Sequence, residues 1–219
     1  MSIARVFSTK KLSLAQKELL LNANVALSEA DFIQTEPVPF PRPEFVENAI
    51  FTSQNAVKQV SLQLIPVQHV FCVGDKTREL ALASGFNVIE HAYDAKSLAN
   101  LLIKKHASKH FIFFCGETRR DELPDMLNEH TVSLEEIPVY RTRETPKQIS
   151  GKFDGVLFFS PSAVRSFIQK NTLKQEMAFC IGKTTEQEVK KHTNTFRTAT
   201  RPTVENVIVQ VVKHFSKND

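Results

Sequence analysis

IFTSQNAV at residues 50–57 returns as LFFSPSAV at 157–164, and FCVGDKTREL from Phe71 returns as FCIGKTTEQEV from Phe179. Ser53 and Ser160 are 107 residues apart, Gly74 and Gly182 are 108 apart, and a weaker match pairs Ala92 with Ala199 at 107. Motifs that recur in one order at one spacing mark an internal duplication, and a duplication restricts the fold more than any local propensity does. The first 35 residues also resemble, loosely, the stretch from Phe111 to Tyr140, so the chain reads A, B, A′, B′. Within each copy, short β-branched and aromatic runs alternate with amphipathic stretches of helical period, the pattern of βα units around parallel sheets. Strands are expected at 3–8, 49–53, 69–73, 86–91, 110–115, 131–139, 154–160, 178–181 and 194–198. Helices are expected at 12–27, 54–63, 76–84, 95–106, 119–129, 162–170, 184–192 and 203–215. The fold class is α/β.

A duplication can form two tandem domains meeting near residue 108, or two domains that each take segments from both halves. Two proline-bearing extended segments, TEPVPFPRP at 35–43 and EEIPVYRTRETP at 135–146, favour the second arrangement, because they have the character of strands crossing between domains. One α/β domain is then expected from residues 1–34 with 146–219 and the other from 44–134. Residues 35–43 and 135–145 are the linker strands.

Several function classes find no support. No apolar run reaches the roughly 18 residues of a membrane helix, and MSIARVFSTKKLS lacks the apolar stretch and cleavage site of a signal peptide, so a cytoplasmic protein without a membrane partner is expected. Cys72, Cys115 and Cys180 are far apart within apolar runs, without metal or disulfide spacing. The net charge of +4 suits an anionic partner, but lysines and arginines are scattered rather than gathered into a stripe, against nucleic acid. Gly182-Lys183-Thr184 resembles a phosphate loop, yet Met177 stands where that motif needs its first glycine. No GxSxG surrounds any serine. His106 and His110 are spaced for one helix face, but they lie among lysines and read as a solvated surface.

What remains is a set of strand-to-helix turns. Thr52 and Ser53 precede one predicted helix, and Ser160 and Ser162 begin its counterpart. Such residues cap helices; the same helix starts also hold anions, because free N–H groups and the helix dipole point at them. Gly74 to Thr77 and Gly182 through Thr184 and Thr185 form a second pair of turns with the same two readings. Arg119 and Arg120 follow Gly116, where an arginine can clamp a carboxylate bidentately or simply lie on a helix surface. Tyr140 sits in the second linker strand, placed either to pack or to donate a proton.

The ordered set IFTSxxAV, VGxxT, CGxxxRxxLP, PVYxT, FFSPSAV, IGxTT and AxxPT, from residue 50 to the C-terminus, resembles the uroporphyrinogen-III synthases. The resemblance implies two doubly wound, flavodoxin-like parallel-sheet domains joined by a two-stranded β-ladder, the proline segments being that ladder. It implies a monomeric, cofactor-free and metal-free enzyme of tetrapyrrole and haem biosynthesis. Its substrate would be hydroxymethylbilane, a linear tetrapyrrole bearing carboxylates, bound between the domains and closed to uroporphyrinogen III with inversion of ring D. Tyr140 would be the proton donor. Thr52, Ser53, Thr77, Arg120, Ser160, Ser162, Thr184 and Thr185 would line the substrate site. A non-catalytic two-lobed binding protein for small anions, or a degenerate family member, is the alternative.

Overall fold

The computed structural model describes residues 3–216; the outermost residues of the expected first domain, 1–2 and 217–219, lie outside them. In chain order the elements are β1 (Ala4–Ser8), α1 (Leu14–Leu21), β2 (Val25–Glu29), β3 (Ile33–Pro37), β4 (Val46–Phe51), α2 (Gln54–Leu62), β5 (Val67–Val73), α3 (Asp75–Ala83) and β6 (Val88–Ala92). They continue with α4 (Ala95–His106), β7 (His110–Gly116), α5 (Glu122–Glu129), β8 (Ser133–Glu144), β9 (Gly155–Phe158), α6 (Pro161–Ile168), β10 (Met177–Cys180), α7 (Lys183–Val189), β11 (Phe196–Thr198) and α8 (Val204–Phe215).

The chain divides into two compact units, one running up to Gln34 and resuming at Arg143, the other Thr35–Thr142. The first holds a five-stranded sheet of order β11-β10-β9-β1-β2, in which every pair is parallel. The second is built on a six-stranded sheet of order β3-β8-β7-β4-β5-β6, parallel from β8 through β6. Strands from both ends of the sequence thus share one sheet. The order β2-β1-β9-β10-β11 in one sheet parallels β8-β7-β4-β5-β6 in the other. β3 borders β8, where Val38 N donates to Val139 O at 3.3 Å and Thr145 N to Phe32 O at 2.9 Å; the two segments therefore run in opposite directions.

Parallel strands buried on both faces need near-continuous apolar runs. Phe111, Phe113 and Phe114 of β7, Ile50 and Phe51 of β4, and Val156, Leu157 and Phe158 of β9 supply them. In the second unit Phe51 stacks on Phe114 on one face, with ring centroids 5.7 Å apart, while Phe71 meets Phe111 edge-on at 5.2 Å on the other. In the first unit Phe158 and Phe167 pack edge-on beneath α6, and Phe179 packs against Phe215 of α8. Each sheet is thereby a rigid floor whose C-terminal edge carries the turns.

Four expectations are corrected. The predicted helix 12–27 ends at Leu21: Asn24 takes a left-handed backbone (φ 53°) and residues 25–29 become β2, paired in register with β1. The linker strand predicted at 35–43 is ordered as β3 only to Pro37, since Pro39, Pro41 and Pro43 have no N–H to give a ladder. The predicted strand 131–139 and the linker 135–145 are one continuous β8. The helix expected from 119 starts at Glu122, because Arg119 is drawn away by ion pairs.

Candidate active site

In open parallel sheets the place for a ligand is beyond the strand C-terminal ends, where the order reverses. In the first unit that point lies between β1 and β9. β1 ends at Ser8 and Thr9 follows, both buried; Thr9 donates from N at 3.1 Å and from Oγ1 at 2.7 Å to Leu157 O, tying the two strand ends together. Lys10 follows, its ammonium 5.7 Å over the Phe159 ring, so a cation stands beside the turn into α6. Ser160 caps α6, accepting from Ala163 N at 3.1 Å, while Val164 N donates to Ser160 O at 3.3 Å. Pro161 has no N–H. Among the described residues, two donors at this positive helix end have no partner, the N–H and hydroxyl of half-buried Ser162.

The second unit repeats the construction between β7 and β4. Half-buried Thr52 leads to Ser53, whose hydroxyl accepts from Asn55 N at 3.1 Å, and Val57 N donates to Ser53 O at 3.3 Å. With no proline here, among the described residues the N–H groups of Gln54 and Ala56 at the start of α2 have no partner, against one such backbone N–H at α6. The two copies share their caps and differ in donor count.

The glycine turns are less alike. Gly74 has φ 84°, a left-handed backbone that glycine adopts without strain, and opens α3. Thr77 is buried with its N–H on Gly74 O at 3.1 Å, and Asp75 already places a carboxylate at this helix start, 3.5 Å from His91. At α7, Thr184 is exposed whereas Thr185 retains 1% exposure, its side chain turned into the core. Thr185 and Thr77 occupy the same position in their helices, so they brace the turns, and the surface facing solvent belongs to Thr184.

Arg119 and Arg120 separate in role. The Arg119 guanidinium is committed to the protein's own acids: Nη2 bonds Glu136 Oε1 at 2.6 Å, Nε bonds Oε2, and Nη1 bonds Asp121. The Glu136 hydrogen bonds, above all, push the arginine's pKa up. Arg120 is the exposed member of the pair. Tyr140 is half-buried on β8, and its carbonyl accepts from Glu117 N at 2.9 Å, which sets it level with the end of β7. The second unit thus gathers Thr52, Ser53, Thr77, Arg120 and Tyr140 along one sheet edge; the first gathers Ser160, Ser162, Thr184 and Thr185 along the other.

Other groups are closed to chemistry. Burial pushes the thiols of Cys72 and Cys115 up to about 11 and that of Cys180 to about 12, so none is a thiolate nucleophile at neutral pH. His106 does not lie on a solvated face: it packs edge-on against Phe71 at 5.1 Å, 3.9 Å from Glu90, and desolvation holds its pKa below the usual value. Among the described residues no group of three or more His, Cys, Asp or Glu side chains gathers in a metal-holding arrangement, and no helix is long and apolar enough to cross a membrane.

The family model described as Uroporphyrinogen-III synthase HemD matches residues 32–208. No curated protein sequence matches the chain. Among solved structures, uroporphyrinogen-III synthetase from Helicobacter pylori is similar at a TM-score of 0.73 and 17% identity, over 96% of this chain and 99% of that one. A mutant uroporphyrinogen-III synthase from the extremely thermophilic bacterium Thermus thermophilus is similar at a TM-score of 0.62 and 15% identity, over 99% of this chain and 100% of that one. At these identities the structural likenesses show the fold.

Proposed function

Since the chain belongs to the uroporphyrinogen-III synthase family, we propose that it closes hydroxymethylbilane to uroporphyrinogen III, a water-eliminating lyase reaction in which ring D is inverted. The family match over residues 32–208 carries this reading. The substrate's carboxylates are held by the helix starts at Ser53 and Ser160, by the turn at Thr184 and by Arg120, while Thr77 and Thr185 brace their turns and Asp75 fills the start of α3. The free N–H groups of Gln54, Ala56 and Ser162 are the main donors, which is why an anion at these ends is stabilised.

Departure of the ring A hydroxyl leaves an azafulvene cation. The substituted carbon of ring D attacks it, and the resulting spiro intermediate breaks and recombines with ring D reversed. The unaided chain closes head to tail to the uninverted isomer, so holding a folded conformation is the larger part of the catalysis. Tyr140 gives a proton to the departing hydroxyl, which leaves as water, and the proton that the α-carbon of ring D loses on final closure restores the phenol. The protein acts as a cytoplasmic monomer without cofactor or metal.

The test is an assay with freshly prepared hydroxymethylbilane, no added metal, nucleotide or flavin, and separation of isomers I and III. Isomer III is the expected product, insensitive to chelator. Isomer I alone, or substrate binding without turnover, overturns the proposal and leaves an anion-binding protein.

A further inference from the structure

Gly116 is the last residue of β7, and a Cβ placed there would lie 2.9 Å from both Cε2 and Cζ of Tyr140 and 3.1 Å from its hydroxyl oxygen. The ring therefore occupies the space a side chain at 116 would take. Gly116 does not have the left-handed backbone of Gly74, so glycine is demanded here for room and not for conformational freedom. Nor is this true of glycines at the other turns: nothing lies within 4 Å of a Cβ at Gly74 or Gly182.

The backbone makes the approach unavoidable. Cys115 faces Pro138 and Gly116 faces Tyr140, so the register passes over Val139, and this irregularity re-aims the side chain that follows. The hydrogen bond from Glu117 N to Tyr140 O then pins the Tyr140 backbone beside Gly116. Among the described residues no hydrogen bond holds the Tyr140 hydroxyl. Its position is set by the contact with Gly116 and by partial burial against the cluster that contains Ile137 and Val139.

We infer that Gly116 is a positioning residue, the seat that fixes where the Tyr140 hydroxyl points. The inference rests on Tyr140 as proton donor. A Cβ at 116 must drive the ring outward by several tenths of an ångström or swing it away, and misplacement of a reacting group by about 1 Å can lower a rate about 10²-fold.

The chain has two tyrosines and no tryptophan, and Tyr93 is 66% exposed, so Tyr93→Phe makes Tyr140 the sole tyrosine fluorophore at little structural cost. In that background Gly116→Ala is expected to raise acrylamide quenching of the Tyr140 emission. It is also expected to lower kcat for isomer III roughly fivefold or more, with KM within about twofold. Quenching equal to the Gly116 parent overturns the seat, whatever the kinetics. Raised quenching with an unchanged kcat overturns the positioning role. Tyr140→Phe is assayed alongside: if it keeps the full rate, the donor reading fails and takes the catalytic half of this proposal with it, while quenching still decides the seat. Should Gly116→Ala not fold, pairing it with Tyr140→Ala resolves the cause. Recovered folding supports the collision, and persistent misfolding overturns it.

Discussion

Replacing Ser160 with aspartate separates a helix cap from an anion holder, because the two roles answer in opposite directions. Aspartate caps about as well as serine and accepts the same Ala163 N–H, and its charge at a helix N-terminus adds about 0.3–1 kcal/mol of stability. Against a substrate carboxylate at the start of α6, the same charge is repulsive. Two unit charges about 4 Å apart interact by about 1 kcal/mol in bulk water and about 4 kcal/mol at an effective dielectric near 20. Ser160 is half-buried, so about 2 kcal/mol applies, which is a rise in KM of roughly thirtyfold. The assay pairs thermal unfolding with the concentration dependence of isomer III formation. Ser160→Asn supplies a cap without charge and should leave KM within about threefold. Ser160→Ala should lose about 1 kcal/mol of stability while releasing the Ala163 N–H as a new donor, so its KM should barely move. If Ser160→Asp turns over with the parental KM, no substrate carboxylate lies at the start of α6 and the account of this site is wrong.

Tyr140→Phe keeps the ring and removes the proton; since general acid assistance is worth about 10²–10⁴, kcat should fall at least roughly tenfold with the melting temperature unchanged, and a rate above half the parent's would make Tyr140 a packing residue. Gly155→Ala puts a Cβ 2.8 Å from Phe179 Cε2 and 3.1 Å from Met177 O in the middle of the first sheet, so urea unfolding should show a loss of about 1–3 kcal/mol; an unmoved midpoint would mean the sheet yields there freely. Asp94 accepts the Ser97 N–H at 2.7 Å as the cap of α4, and the bonds from Ser97 hold its carboxyl below the usual 3.8. Because the folded pKa is depressed, the charged form stabilises the fold above pH 3.8, and that contribution fades as pH falls through the folded value. Asp94→Asn should therefore flatten this part of the acid limb in pH-dependent unfolding, and an identical pH profile would remove Asp94 from it.

The helix starts at Ser53, Ser160 and Thr203 were legible because their cause is local. A Ser or Thr ahead of an amphipathic run satisfies the first N–H groups within three residues, and Ser53, Ser160 and Thr203 all do so. β2 was illegible for the opposite reason. VALSE has no local feature that forbids helix, and it becomes a strand only because β1 offers a parallel edge with Val6 opposite Leu27. The commitment of Arg119 to Glu136 joins residues 17 apart in sequence across the β7–β8 pairing, and no spacing rule links a turn arginine to a glutamate in the next strand. Gly116 had a faint signal, a glycine closing a strand after FFC, but a glycine reads first as a turn, and that it makes room for Tyr140 required the register shift to be seen.

The α/β class, the repeated turns and the family resemblance follow from the sequence by itself, since periodicity, capping and glycine chemistry act over a few residues. Tertiary structure alone decided three things: that VALSE becomes β2 beside β1, that the Arg119 guanidinium is committed to Glu136, and that the Tyr140 ring rests on Gly116. Each depends on which distant strands share hydrogen bonds, and the free energy of that choice comes from burying both faces of a sheet at once, a quantity spread over the whole unit and carried by no single segment.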